Sequence, residues 1–199
     1  MSYELESINM LPSQKDIKKI AQSLAVLDMI IMPEWEYRYF SFDAYWDTNE
    51  MMSSMRNGEG DEYFILFNTH GTIGKVFTKD KLLSTKEREK VIQLIPKKFS
   101  NFIAEEAFSM ENISFCFWSQ TEYLWTSALI NTDLPYLKFL SGDPIFYQVW
   151  AEEYYERNLN IDAIQSIFNH EPISDSIIEK LNNDIKLEDI ITELKEIDY

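Results

Sequence analysis

The chain has 199 residues, 45% of them hydrophobic and 15% aromatic, and a formal net charge of −16. That length supports one sizeable core without disulfide or metal staples, and that apolar content excludes a disordered acidic tail. The charge argues against a general polyanion binder, because a negative surface repels phosphates of nucleic acid or an anionic membrane.

Ser13 precedes a segment in which Ile17, Ile20, Leu24, Leu27 and Ile31 recur at helical spacing. The spacing predicts a helix from Ser13 to Ile31, capped by the serine hydroxyl and stopped by Pro33, with its stripe covering one face of a sheet. Three strands follow: Tyr37 to Phe42, Met51 to Arg56, and Asp61 to Phe67. The first two are joined by a polar connection over 43–50 that holds Trp46. The turn Asn57-Gly58-Glu59-Gly60 joins the second and third, since Asn-Gly accepts the positive φ that a tight hairpin demands. Tyr63 to Phe67 is apolar at every position, as expected of a central strand buried on both faces. A second hairpin loop, Asn68 to Gly71, leads to a strand over Ile73 to Phe77, which offers an edge for pairing two sheets.

From Lys75 to Lys98 the chain is basic, with Ser84 or Thr85 capping a helix that Pro96 interrupts. Its basic face reads as solvated. Ile113 to Gln120 and Leu124 to Leu129 form another hairpin. Beyond Gly142, Pro144 opens the first of four helical runs that end at Ile197. The result is an α+β fold: an antiparallel sheet of five or six strands packed with an N-terminal helix and a C-terminal group of helices. We expect one domain over 1–199, strand-rich over 34–130 and helical over 143–197. The lone Cys116 suggests a reducing compartment. With no basic start followed by an apolar run and no apolar stretch of membrane-spanning length, a soluble cytoplasmic protein is expected.

Charge is distributed unevenly. Residues 1–67 carry −7, residues 68–104 carry +5, and residues 105–199 carry −14. The acidic C-terminal half suits a basic partner protein, with no role for nucleic acid or membrane. The chemistry-bearing residues concentrate near the glycine turn. Alternation places Arg38 on the face of Phe40 and Phe42, where it needs a carboxylate, and Arg56 and Asp61 lie across the turn as a cross-strand pair, with Glu36 and Glu62 nearby. Two readings follow. Arg38, Arg56, Asn57, Asp61, Glu36 and Trp46 form either a structural ion-pair network or a polar pocket for a small anionic ligand.

No metalloprotease helix, P-loop, dinucleotide fingerprint, paired Cys-x-x-Cys or nucleophile elbow is present, and His70 and His170 lack neighbours at ligand spacing. Glu34-Trp35-Glu36 would put two carboxylates on one face if extended. No catalytic residue, metal or cofactor is therefore assigned, and an enzyme is disfavoured. The leading expectation is an interaction module that presents an acidic surface and an aromatic patch from Trp35, Trp46, Trp118, Trp125 and Trp150; the alternative is a small-molecule-binding protein or enzyme with the Arg/Asp pocket.

Glu34-Trp35-Glu36-Tyr37-Arg38-Tyr39, then Phe42, Trp46, Ser54-Met55-Arg56-Asn57-Gly58 and Gly60-Asp61-Glu62-Tyr63, together with Ala151-Glu152-Glu153-Tyr154-Tyr155-Glu156, carry a resemblance. The chain is similar over most of its length to a bacterial family of small cytoplasmic proteins. The resemblance implies no particular chemistry. By size and charge, immunity and antitoxin proteins are the nearest analogy.

Overall fold

The computed structural model describes residues 3–128 and 134–199. Its axis is helix α1, Gln14–Ile31, whose N-terminus is capped by the Ser13 hydroxyl accepting the Asp16 N–H at 3.1 Å. From Ala21 to Ile31 every residue of α1 is buried, not just one stripe. The reason is that helices from the C-terminal half close over the side that the sheet leaves free.

Six strands form an antiparallel meander in chain order: β1 Phe40–Asp47, β2 Glu50–Arg56, β3 Glu62–Asn68, β4 Gly71–Phe77, β5 Phe115–Ser119 and β6 Thr126–Ser127. The hairpin at Asn57 closes as expected, with Asn57 Oδ1 accepting the N–H groups of Glu59 and Asp61 at 2.9 Å. β1 is displaced from its expected position. The chain turns at Trp35–Tyr37 in a short 3-10 helix, so Arg38 lies outside the strand and Glu34 and Glu36 do not share a strand face. β1 then runs on through the expected polar connection to Asp47, because Asn49 adopts φ 60° and allows a two-residue turn.

β4 is hydrogen-bonded on both sides, to β3 and β5, so the expected free edge at Ile73–Phe77 does not exist; β1 and β6 are the edges. Gly74 faces Phe117 across the β4–β5 pair, and a Cβ there would sit 2.5 Å from the Phe117 ring. β6 is shorter than expected, and the end of that expected strand, from residue 129 on, lies outside the described residues.

Each face of the sheet carries its own core. On the first, Phe40, Phe42, Met55, Tyr63, Ile65 and Phe117 pack with α1 and the C-terminal helices. These are α4, Pro144–Tyr154; α5, Ile161–Phe168; α6, Asp175–Glu179; and α7, Leu187–Ile197. The polar residues of α1 hold them in place through their carbonyl ends. Gln22 donates to Ile197 O and Asp198 O at the end of α7, and Ser23 donates to Ile167 O at the end of α5. Both serve carbonyls that a helix C-terminus leaves without an internal partner.

On the second face, Phe64, Leu66, Ile73, Cys116 and Trp118 pack beneath α2, Thr85–Leu94, and α3, Ser100–Ala104, which lie in the β4–β5 connection. A capping box at Ser84 and Glu87 starts α2. Lys75, expected in the solvated basic run, is fully buried on this face. Its ammonium donates to Glu62 Oε1 at 3.0 Å, Ser109 O at 3.2 Å and Asn112 O at 3.1 Å, which uses all three protons. No helix among the described residues is long and apolar enough to cross a membrane.

Candidate functional site

The six residues singled out near the turn do not form one network. Arg38 is spent on architecture. Its Nε donates to Met32 O at 2.8 Å, one Nη donates to Pro33 O at 2.7 Å, and the other pairs with Glu193 of α7. With Asn182 Nδ2 on Ile30 O and Arg157 Nη1 on Ile31 O, it completes the capping of the α1 C-terminus, where cations are favoured.

Asn57 and Asp61 lock the glycine turn to the rest of the chain. Asp61 accepts the Lys79 N–H at 3.0 Å and the Tyr136 hydroxyl at 2.6 Å, and Asn57 Nδ2 donates to that same hydroxyl at 3.2 Å. Asp61 is not the cross-strand partner of Arg56. The strand register opposes Arg56 to Glu62, one residue further along. Glu62 itself is drawn aside to Lys75.

Arg56 is thereby left open. Among the described residues its guanidinium makes no ion pair and no hydrogen bond, and it lies 5.3 Å from the centre of the Phe64 ring. It stands where two cavities of about 230 and 560 Å³ meet, which share Trp35, Ser41, Ser54 and Arg56 in their walls. The cavities adjoin to form a trench at the β1 edge of the sheet, where Ser41, Ser54 and Arg56 of the second face meet Tyr154 of α4 and Glu196 of α7. Ser41 and Ser54, opposed in register, form its floor and share a hydrogen bond at 2.7 Å. One hydroxyl of that pair donates to the other, so one proton is free to point into the trench.

The walls are aromatic and acidic. Trp35 is 64% and Tyr45 70% exposed, and Tyr37 and Tyr154 are exposed beside them. Trp46 stacks on Phe108 at 5.7 Å and closes the far end. Glu36 lines the smaller cavity, and Asp43 and Glu196 line the larger. Of the five tryptophans expected in an aromatic patch, Trp35 and Trp46 line this trench. Trp118, Trp125 and Trp150 are buried in the two cores and take no part in it.

Sequence reasoning missed Ser41, Ser54, Tyr45 and Tyr154. The serines carried a usable signal: each is a small polar residue within a strand, on positions that the hairpin register opposes. Tyr154 carried none, because its approach depends on how α4 docks on β1.

A second polar centre lies deeper. Asp28 of α1 is completely buried and, among the described residues, has no cation beside it; its carboxylate accepts the N–H groups of Tyr39 at 2.8 Å and Phe40 at 2.7 Å and the Tyr147 hydroxyl at 3.0 Å. Burial pushes its pKa up to about 6, and these hydrogen bonds keep it from rising further. Burial, and next the Asp28 charge, also push the Tyr63 and Tyr155 hydroxyls up. The site is closed to solvent, so its work is to dock the start of β1 onto α1.

Among the described residues, no group of three or more His, Cys, Asp or Glu side chains is arranged to hold a metal ion. Burial pushes the Cys116 thiol up to about 12, which makes it a poor nucleophile. His170 donates from Nε2 to Lys19 O at 2.9 Å and stacks on Tyr199, with no serine or cysteine partner among the described residues. No protein-family model matches the chain, and no curated protein or solved structure is significantly similar to it.

Proposed function

We propose that this protein is an interaction module that binds a partner protein through the trench around Arg56. The observation that carries this reading is the company Arg56 keeps: Trp35, Tyr37, Tyr45 and Tyr154, all exposed, line the same two adjoining cavities. Trp, Tyr and Arg are the residue types that dominate binding energy at protein interfaces, where large rigid rings are buried at little entropic cost. The chain's net charge of −16 and the carboxylates Asp43 and Glu196 on the trench wall favour a partner that is basic overall.

The test is capture from the native source lysate at low salt on immobilised protein, with the W35A/Y45A double variant as the control. A partner retained by the wild type and lost with the variant is expected. Identical protein sets on both would overturn the reading.

A small anionic ligand is the second reading. It is favoured by the unpaired guanidinium beside a cavity of about 560 Å³, which is within the range of small-molecule sites. A thermal-shift screen of organic acids and nucleotides tests it, since a ligand at 100 times its Kd stabilises the native state by about 2.7 kcal/mol. A hit abolished by R56A supports this reading, and a flat screen removes it.

A further inference from the structure

We infer that Arg56 is the specificity determinant of the trench: it receives a side-chain carboxylate of the partner, so a partner that is basic overall must present one acidic residue at this point. The inference rests on the protein-binding reading and adds the partner's chemistry to it.

The chain carries 34 acidic and 18 basic residues, and among the described residues Arg38 pairs with a carboxylate, Arg88 and Arg157 donate to backbone carbonyls, and Arg56 has neither kind of partner. Three of the acids nearest the turn are held by other groups, and Glu59, in the turn itself, makes no ion pair with Arg56. Glu62, opposite Arg56 in the strand register, is held by the buried Lys75. Asp61 is held by Lys79 N–H and Tyr136 Oη, and Glu193 by Arg38. Glu36, Asp43 and Glu196 line the trench yet do not pair with Arg56.

The guanidinium is also held ready, because its packing against Phe64 restricts where it can move. A planar fork matches a carboxylate in two hydrogen bonds, and the spare proton of the Ser41–Ser54 pair supplies a third donor from the floor. The aromatic walls lower the local dielectric once a partner covers them, which strengthens the pair relative to one in water. The surrounding negative surface repels any acidic residue placed out of register. One acid at Arg56 and bases around it is therefore the pattern that fits.

The experiment is selection of random linear peptides, displayed with their C-termini blocked so that only side-chain carboxylates count, against wild type, R56Q and R56E. Thermal melts first establish that each variant is folded, which the exposed position of Arg56 at a strand end favours. Wild type is expected to enrich peptides with Asp or Glu at one fixed position, and R56E to enrich Lys or Arg there instead. R56Q is expected to weaken the wild-type peptides by about tenfold or more.

Peptides that lose binding to W35A/Y45A but show no acidic position, and are indifferent to R56E, would overturn this inference while leaving the trench as the binding site. If the selected peptides bind W35A/Y45A as tightly as wild type, both the inference and the protein-binding reading fall.

Discussion

Asp28 makes the stability of this protein depend on pH in the direction opposite to most paired carboxylates. Its pKa is about 6 in the folded chain against 3.8 for an unperturbed aspartate, because burial penalises the charged form. Below 3.8 the group is protonated in both states and the penalty is absent. As pH rises from 3.8 to about 6 the unfolded chain ionises while the folded protein keeps the proton in the core, and stability is lost. The pKa difference corresponds to about 3 kcal/mol at neutral pH relative to pH below 4. In D28N, the side-chain oxygen can still accept the Tyr39 and Phe40 N–H groups, but nothing titrates. Urea unfolding of both proteins from about pH 4 to 7.5, taken as the difference between them, cancels the other carboxylates. We expect D28N to gain about 2 kcal/mol relative to wild type over that interval, most of it below pH 6. A difference that stays flat with pH would refute the assignment. D28A serves as a contrast, since it leaves two backbone donors and the Tyr147 hydroxyl without their acceptor and should be destabilised at every pH.

Three further outcomes follow from the buried charges and the thiol. E62A strands the fully buried Lys75 ammonium and should cost about 3 kcal/mol, whereas K75M lets the partly exposed Glu62 turn to water and should cost about half as much; denaturant titration reads the ranking, and the reverse order would refute it. R38Q removes one of the side chains that cap the α1 C-terminus together with its tie to α7, for a loss of about 2 kcal/mol by thermal or urea melting. E193Q should cost less, because Glu193 is partly solvated. Cys116 should resist a thiol reagent at pH 8 in the folded protein and react at once in denaturant, since burial holds the thiol near 12. Rapid labelling of the native form would contradict its placement.

Local chemistry was readable before any coordinates. The Ser13 cap and Pro33 stop bound α1 within a residue, Asn57-Gly58 marked its hairpin, Pro144 opened α4, and the apolar run Tyr63 to Phe67 identified the strand with both faces covered. Caps, turns and periodicity are settled by residues a few positions apart, so they leave a signature in a single sequence. Arg38, Arg56, Asn57 and Asp61 were recognised as residues needing an explanation for the same reason.

What those residues do was decided by tertiary structure. The partner of Arg38 is Glu193, a residue on the last helix. A one-residue difference in hairpin register exchanges Asp61 for Glu62 opposite Arg56, and the burial of Lys75 then removes Glu62 as well. Likewise, nothing in composition separates Trp35 and Trp46, which line the trench, from Trp118, Trp125 and Trp150, which fill the cores. A charge takes whichever partner long-range packing brings within reach, and an aromatic ring is core or surface according to which helix covers it. The single sequence therefore determined most of the elements and their order, with β1 displaced from its expected bounds, while only the packing of α1, α2, α3 and α7 about the sheet determined which arginine was neutralised and which was left open.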